Sequence, residues 1–101
     1  MDHEHRAAIA TIPCKVSLGM FSTERGVRIE LPDGRKIAAL VDKHHVVVKE
    51  EPQSNTEVDG RVAVFVVAYL DDSVLVDLPQ PSMTEGTRLR IPRSMLEVNG
   101  Q

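Results

Sequence analysis

Aromatic residues are almost missing from this chain: Phe21, Phe65 and Tyr69 are all it holds, and tryptophan is absent. That scarcity argues against an aromatic-lined groove for proline-rich peptides and leaves few platforms on which bases could stack. Cysteine is nearly missing too. Cys14 stands alone, so no intramolecular disulfide and no thiolate-rich zinc site can be built, which suits a reducing cytoplasm. Long apolar runs are also lacking: the longest, VAVFVVAYL at 62–70, falls far short of the roughly 20 residues of a membrane-spanning helix. The N-terminus, MDHEHRAAIA, is polar and does not read as a signal peptide. No membrane role is expected. No glycine-rich phosphate loop occurs, and LDDSVLVD at 70–77 lacks the oxygen-ligand spacing of a calcium loop.

What is present is aliphatic and β-branched. The chain has 101 residues, 42% apolar and 27% charged, which fits one soluble globular domain with a single core. Valine dominates the apolar set, and β-branched side chains favour the pleated surface of a sheet. The formal charge is −3, so counterion release offers no general affinity for nucleic acid. The charge is uneven. Glu50, Glu51, Glu57, Asp59, Asp71, Asp72 and Asp77 face only Arg61 within 50–77, whereas 86–93 carries Arg88, Arg90 and Arg93 without an acid. Such asymmetry can orient a partner or a second subunit.

Alternation and turn signals predict six or seven short strands and no helix longer than about one turn. Residues 1–10 read as a flexible tail, with at most a helical turn at 6–10, and 11–101 as one small barrel. Cys14, Val16 and Leu18 alternate with Lys15 and Ser17. Val27, Ile29 and Leu31 then lead into Pro32-Asp33-Gly34, a type I turn followed by a left-handed glycine, and 37–41 return as the partner strand. HHVVVKE at 44–50 is expected to be a strand, and EPQSNTEVDG at 51–60 a polar loop. RVAVFVVAYL at 61–70 is apolar on both faces and predicts a strand that is covered on both sides or lies deep in a small barrel. It pairs through the turn at 71–73 with VLVDLP. TRLRIP at 87–92 alternates again, and RSMLEV predicts a 3₁₀ turn before a closing strand.

The fold class that follows is all-β: a small antiparallel barrel of five to seven strands, SH3-like in the first place, with an OB-like barrel or small sandwich as alternatives. VLVDLPQPSMTEGTRLRIPRSMLEV at 74–98 resembles the last strands of SH3-like small barrels, which occur in translation, transcription and regulatory proteins. The resemblance implies architecture and carries no functional residue across.

The candidate chemistry is sparse. Adjacent His44 and His45, if both lie in a strand, point to opposite faces and cannot share a metal ion. His3 and His5, at i and i+2, share a face when extended. With His44 or His45 they form a ligand set of the right type for zinc, provided the tail folds onto the barrel. Cys14 lacks the helix N-terminus or local cation that activates a thiol and reads as a small buried hydrophobe. Arg88 and Arg90 share one strand face, with Arg93 just beyond Pro92, and form the candidate nucleic-acid surface. Lys49, Glu50 and Glu51 would guard a sheet edge. The expectation is an interaction module without catalysis or cofactor, acting on a protein partner or on itself. An RNA-binding accessory using Arg88, Arg90 and Arg93 is the first alternative, and a metal-binding protein using His3, His5, His44 and His45 the second.

Overall fold

The computed structural model describes residues 9–83 and 86–98, and every described element is a strand or a single 3₁₀ turn. The strands are β1 (Ile9–Leu18), β2 (Glu24–Glu30), β3 (Lys36–Asp42), β4 (Val46–Val48), β5 (Val58–Tyr69), β6 (Ser73–Asp77), β7 (Arg88–Pro92) and β8 (Glu97–Val98). All pairings are antiparallel, in the order β3-β2-β1-β5-β6-β7, with β4 added to β5 and β8 added to β1. The single sheet curls into a half-barrel, as the all-β reading anticipates.

Long strands hold the curl together. β1 pairs β5 from Ile9↔Phe65 to Val16↔Val58 along one side. Its other side serves β8 at 10–11 and β2 at 15–18. Pro13, which has no N–H to donate, falls in the gap between those two partners. After β7, the 3₁₀ turn Arg93–Met95 bends the chain so that β8 reaches β1, as the RSMLEV pattern predicts.

The concave face is filled by the alternating residues. Ala10, Ile12 and Val16 of β1, Val62 and Val64 of β5, and Val74, Val76 and Ile91 of β6 and β7 are fully enclosed. No aromatic side chain belongs to this core. A β-branched aliphatic residue contributes about 1.5–3 kcal/mol on full burial, so the core rests on many small equal terms.

The β2–β3 turn follows its sequence closely. Gly34 N–H donates to the Leu31 carbonyl at 2.9 Å, Gly34 has φ 95°, and Asp33 Oδ1 accepts from the Arg35 N–H at 3.0 Å. Three expectations need correction. Ile9 and Ala10 belong to β1 and not to a tail or a helical turn, because pairing with Phe65 and Val64 supplies their backbone partners. Lys43–His45 form a 3₁₀ turn and only Val46–Val48 are strand, because Asp42 caps that turn by accepting the His44 N–H. β5 is not covered on both sides: Val67 is 40% and Tyr69 52% exposed. A bulge between Val66 and Ala68 shifts its register against β6, while the burial alternation runs on, with Val67 and Tyr69 exposed and Ala68 half-buried.

Candidate functional site

The β1–β2 hairpin ends in an apolar tip that is ordered yet uncovered. Met20 is 83% exposed, Phe21 67% and Leu18 44%. Backbone bonds fix the tip: Gly19 N–H donates to the Glu24 carbonyl at 3.2 Å and Glu24 N–H to the Phe21 carbonyl at 3.0 Å. Glu24 Oε1 also accepts the Met20 N–H at 3.1 Å. Gly19 is required there, since a Cβ would stand 2.8 Å from Glu24 Cβ and 3.0 Å from its carbonyl carbon. Large apolar side chains held out in water by an ordered turn lose area-proportional free energy unless something covers them.

The 3₁₀ turn with His44 and His45 lies against this tip, because the Lys43 N–H donates to the Thr23 carbonyl at 2.8 Å. His44 Nδ1 meets Asp42 Oδ1 at 2.6 Å, and its N–H reaches the same oxygen at 2.9 Å. These two contacts hold the Asp42 carboxyl below the usual carboxylate range. His44 is exposed and His45 half-buried. The two histidines are thus turn residues, and the strand argument for separating their rings does not apply. No group of three metal-capable side chains occurs among the described residues. His3 and His5 lie outside the described residues.

Arg88, Arg90 and Arg93 are brought together on β7 and its continuation, but each is engaged. Arg88 makes a fork to Asp77, Nε to Oδ1 at 2.9 Å and NH2 to Oδ2 at 3.1 Å. The guanidinium holds the Asp77 carboxyl below its ordinary range. Arg90 Nε donates to Ser73 Oγ at 3.0 Å. Arg93 donates to the Leu70 carbonyl at 2.7 Å and lies 4.9 Å from the Tyr69 ring centroid. Asp71 and Asp72 share that rim.

Cys14 is buried, and desolvation pushes its thiol up to about 12 against a weaker opposing pull from Arg61. A groove of about 810 Å³ runs beside β4, with Val47, Val48 and Val58 in its lining. Of its cations, Lys15 pairs with Asp59 and Arg61 with Glu97. The apolar tip is the feature that strand alternation overlooks. Its signal is LGMF followed at once by STERG: two large hydrophobes between a glycine and a polar turn, where no core position is available.

No family model, no curated protein and no solved structure matches the chain. No helix among the described residues is long and apolar enough to cross a membrane.

Proposed function

We propose that the chain is a non-catalytic interaction module, an SH3-like small barrel of the cytoplasm that docks a protein partner, a second copy included, through Leu18, Met20 and Phe21. The observation that carries this reading is the ordered display of three large apolar side chains at one hairpin tip. Interface hot spots are built from such anchors seated in a partner's pocket, and pre-ordering the tip lowers the entropic cost of docking.

The RNA-binding alternative draws less support. Arg88 is committed to Asp77, and the Arg93 guanidinium already covers the one aromatic face beside the arginines. The metal alternative rests on His3 and His5 together with a turn whose His44 is already engaged by Asp42.

The test is photo-crosslinking in intact cells from a photoreactive phenylalanine analogue placed at position 21, with the exposed position 36 as control. A discrete adduct from 21 that is lost in Met20→Asp and absent from 36 supports the reading, and its mass separates a second copy from another protein. Equal, diffuse labelling from both positions contradicts it.

A further inference from the structure

The two ends of the main sheet are treated differently. The outer side of β3 is closed by the chain itself: Met83 N–H donates to the Ala38 carbonyl at 2.9 Å, Asp42 N–H to Gln80 Oε1 at 2.8 Å, and Ser82 bridges Ala39. At the other end β7 pairs with β6 alone, and no strand among the described residues lies on its far side.

The register says which backbone groups that far side presents. Leu78 N–H donates to the Thr87 carbonyl and Arg93 N–H to the Asp72 carbonyl, at 2.9 and 3.2 Å. These bonds flank, in phase, the pairs Val76↔Leu89 and Val74↔Ile91. In an antiparallel strand a residue directs both its N–H and its C=O to the same neighbour, and the next residue directs both the other way. Residues 87, 89, 91 and 93 therefore face β6. Arg88 and Arg90 turn their N–H and C=O outward, and Pro92 ends the run because it has no donor.

The side chains leave that edge uncovered. Arg88 and Arg90 lean back across β6, onto Asp77 and Ser73, instead of overhanging the free side. On this outer face Arg88 is forked onto Asp77, and Arg90, which lines a depression with Asp71, Asp72 and Arg93, directs its bond to a neutral hydroxyl. An edge guarded only by repulsion would carry its charges outward over the backbone. This one offers hydrogen-bonding groups beside the Arg90 guanidinium, whose bond goes to a hydroxyl and not to a carboxylate.

We propose that the free edge of β7 captures an extended acidic segment of another protein as an added antiparallel strand. The backbone of Arg88 and Arg90 supplies the pairing, as in strand addition generally. A carboxylate of the incoming strand lies on the outer face beside Arg90, whose guanidinium donates to the Ser73 hydroxyl, and a charge-assisted contact forms there. Asp71 and Asp72, which line the same depression as Arg90, repel further acids and so set the register of the guest. This surface is separate from the hairpin tip, and its test does not depend on that reading.

The experiment titrates the whole chain with a synthetic heptapeptide alternating glutamate and valine, followed by amide NMR spectra and hydrogen exchange. The expected result is saturable binding in which exchange of the Arg88 and Arg90 amides slows at least about tenfold as they gain carbonyl partners. A lysine–valine heptapeptide, and a glutamate–valine peptide methylated on the backbone nitrogens that face β7, should each bind about tenfold or more weakly. Arg90→Glu should weaken the parent peptide by a similar factor, with Arg90→Gln intermediate. The proposal is overturned if the methylated peptide binds as well as its parent, or if the two amides exchange unchanged at saturation. It is likewise overturned if single-stranded oligouridylate displaces the peptide at lower concentration, or if peptide-free protein dimerises through this edge in a manner abolished by Arg90→Glu.

Discussion

Arg61 and Thr11 are joined twice across the β1–β5 ladder: Nε donates to Thr11 Oγ1 at 2.8 Å and NH2 to the Thr11 carbonyl at 3.0 Å. The same guanidinium reaches the Met95 carbonyl at 3.2 Å and Glu97 Oε1 at 3.2 Å. One side chain therefore ties β5 to β1, to the second 3₁₀ turn and to β8. Arg61→Met keeps the aliphatic stem but strands the buried Thr11 hydroxyl. The expected cost is about 2 kcal/mol, the scale of a few charge-assisted bonds discounted for partial exposure. Thr11→Val should cost about half as much, and the double variant less than the sum. Urea unfolding of the four proteins measures all three statements.

Gly60 and Gly34 should fail for opposite reasons. A Cβ on Gly60 would stand 2.8 Å from Val16 Cγ2, the Val47 carbonyl oxygen and Val48 Cγ1. Gly60→Ala is therefore expected to cost about 1–3 kcal/mol by overpacking. A Cβ on Gly34 meets nothing within 4 Å, and its φ of +95° is the obstacle. Gly34→Ala should cost about 1–2 kcal/mol, while Gly34→Asn recovers part of that loss. Urea midpoints separate the cases, because an asparagine at position 60 recovers nothing.

Stability should fall in alkali for a reason located at Cys14. Burial raises its thiol from 9.0 to about 12 in the folded chain. Between those values the folded state keeps a proton that the unfolded state has released, so unfolding is favoured as pH rises. Cys14→Ala should flatten that slope over pH 9–12. At pH 8 the native thiol should react with a disulfide reagent only at the rate of unfolding.

The acid side has the opposite sign. Asp77, Asp42 and Asp33 are each held below the ordinary carboxylate range by hydrogen bonds from Arg88, His44 and Arg35 respectively. The stability they add is present above that range and is lost as pH falls through the lowered values. Arg88→Met should remove the Asp77 part of this dependence, seen as a smaller change in urea midpoint between pH 5 and pH 3.

Much of the fold is legible in the residues because alternation and turn chemistry agree there. Val27, Ile29 and Leu31 before Pro32-Asp33-Gly34 specify a hairpin by both criteria, and RSMLEV announces its 3₁₀ turn and closing strand. Alternation misleads where a local hydrogen bond competes with the ladder: Asp42 draws the His44 N–H into a cap, and the strand starts only at Val46. The two-faced apolar run of β5 also misleads, because Val67 and Tyr69 on its outer face stay exposed. The proposed docking surfaces are less legible. Met20 and Phe21 read as a continuation of β1 until the Gly19 turn is known, and the engagement of Arg88 and Arg93 depends on pairings far away in sequence.

The hairpin tip should be dispensable for folding. Met20→Ser with Phe21→Ser should leave stability within about 0.5 kcal/mol, because neither side chain is buried. Ile12→Ala, in the enclosed core, should cost about 2–5 kcal/mol. A large loss from the serine pair would assign the tip a structural role.

The most direct measurement of the docking claim is a thiol footprint of position 20. Met20→Cys places a reactive thiol at the tip, while the buried native Cys14 supplies no fast background. Alkylation is timed in intact cells at native expression level and in the purified, dilute protein, with an exposed cysteine at position 36 as reference. Position 20 is expected to be protected in cells about tenfold or more relative to position 36, as for a residue seated in an interface core. Equal normalised rates in the two settings would contradict the docking claim.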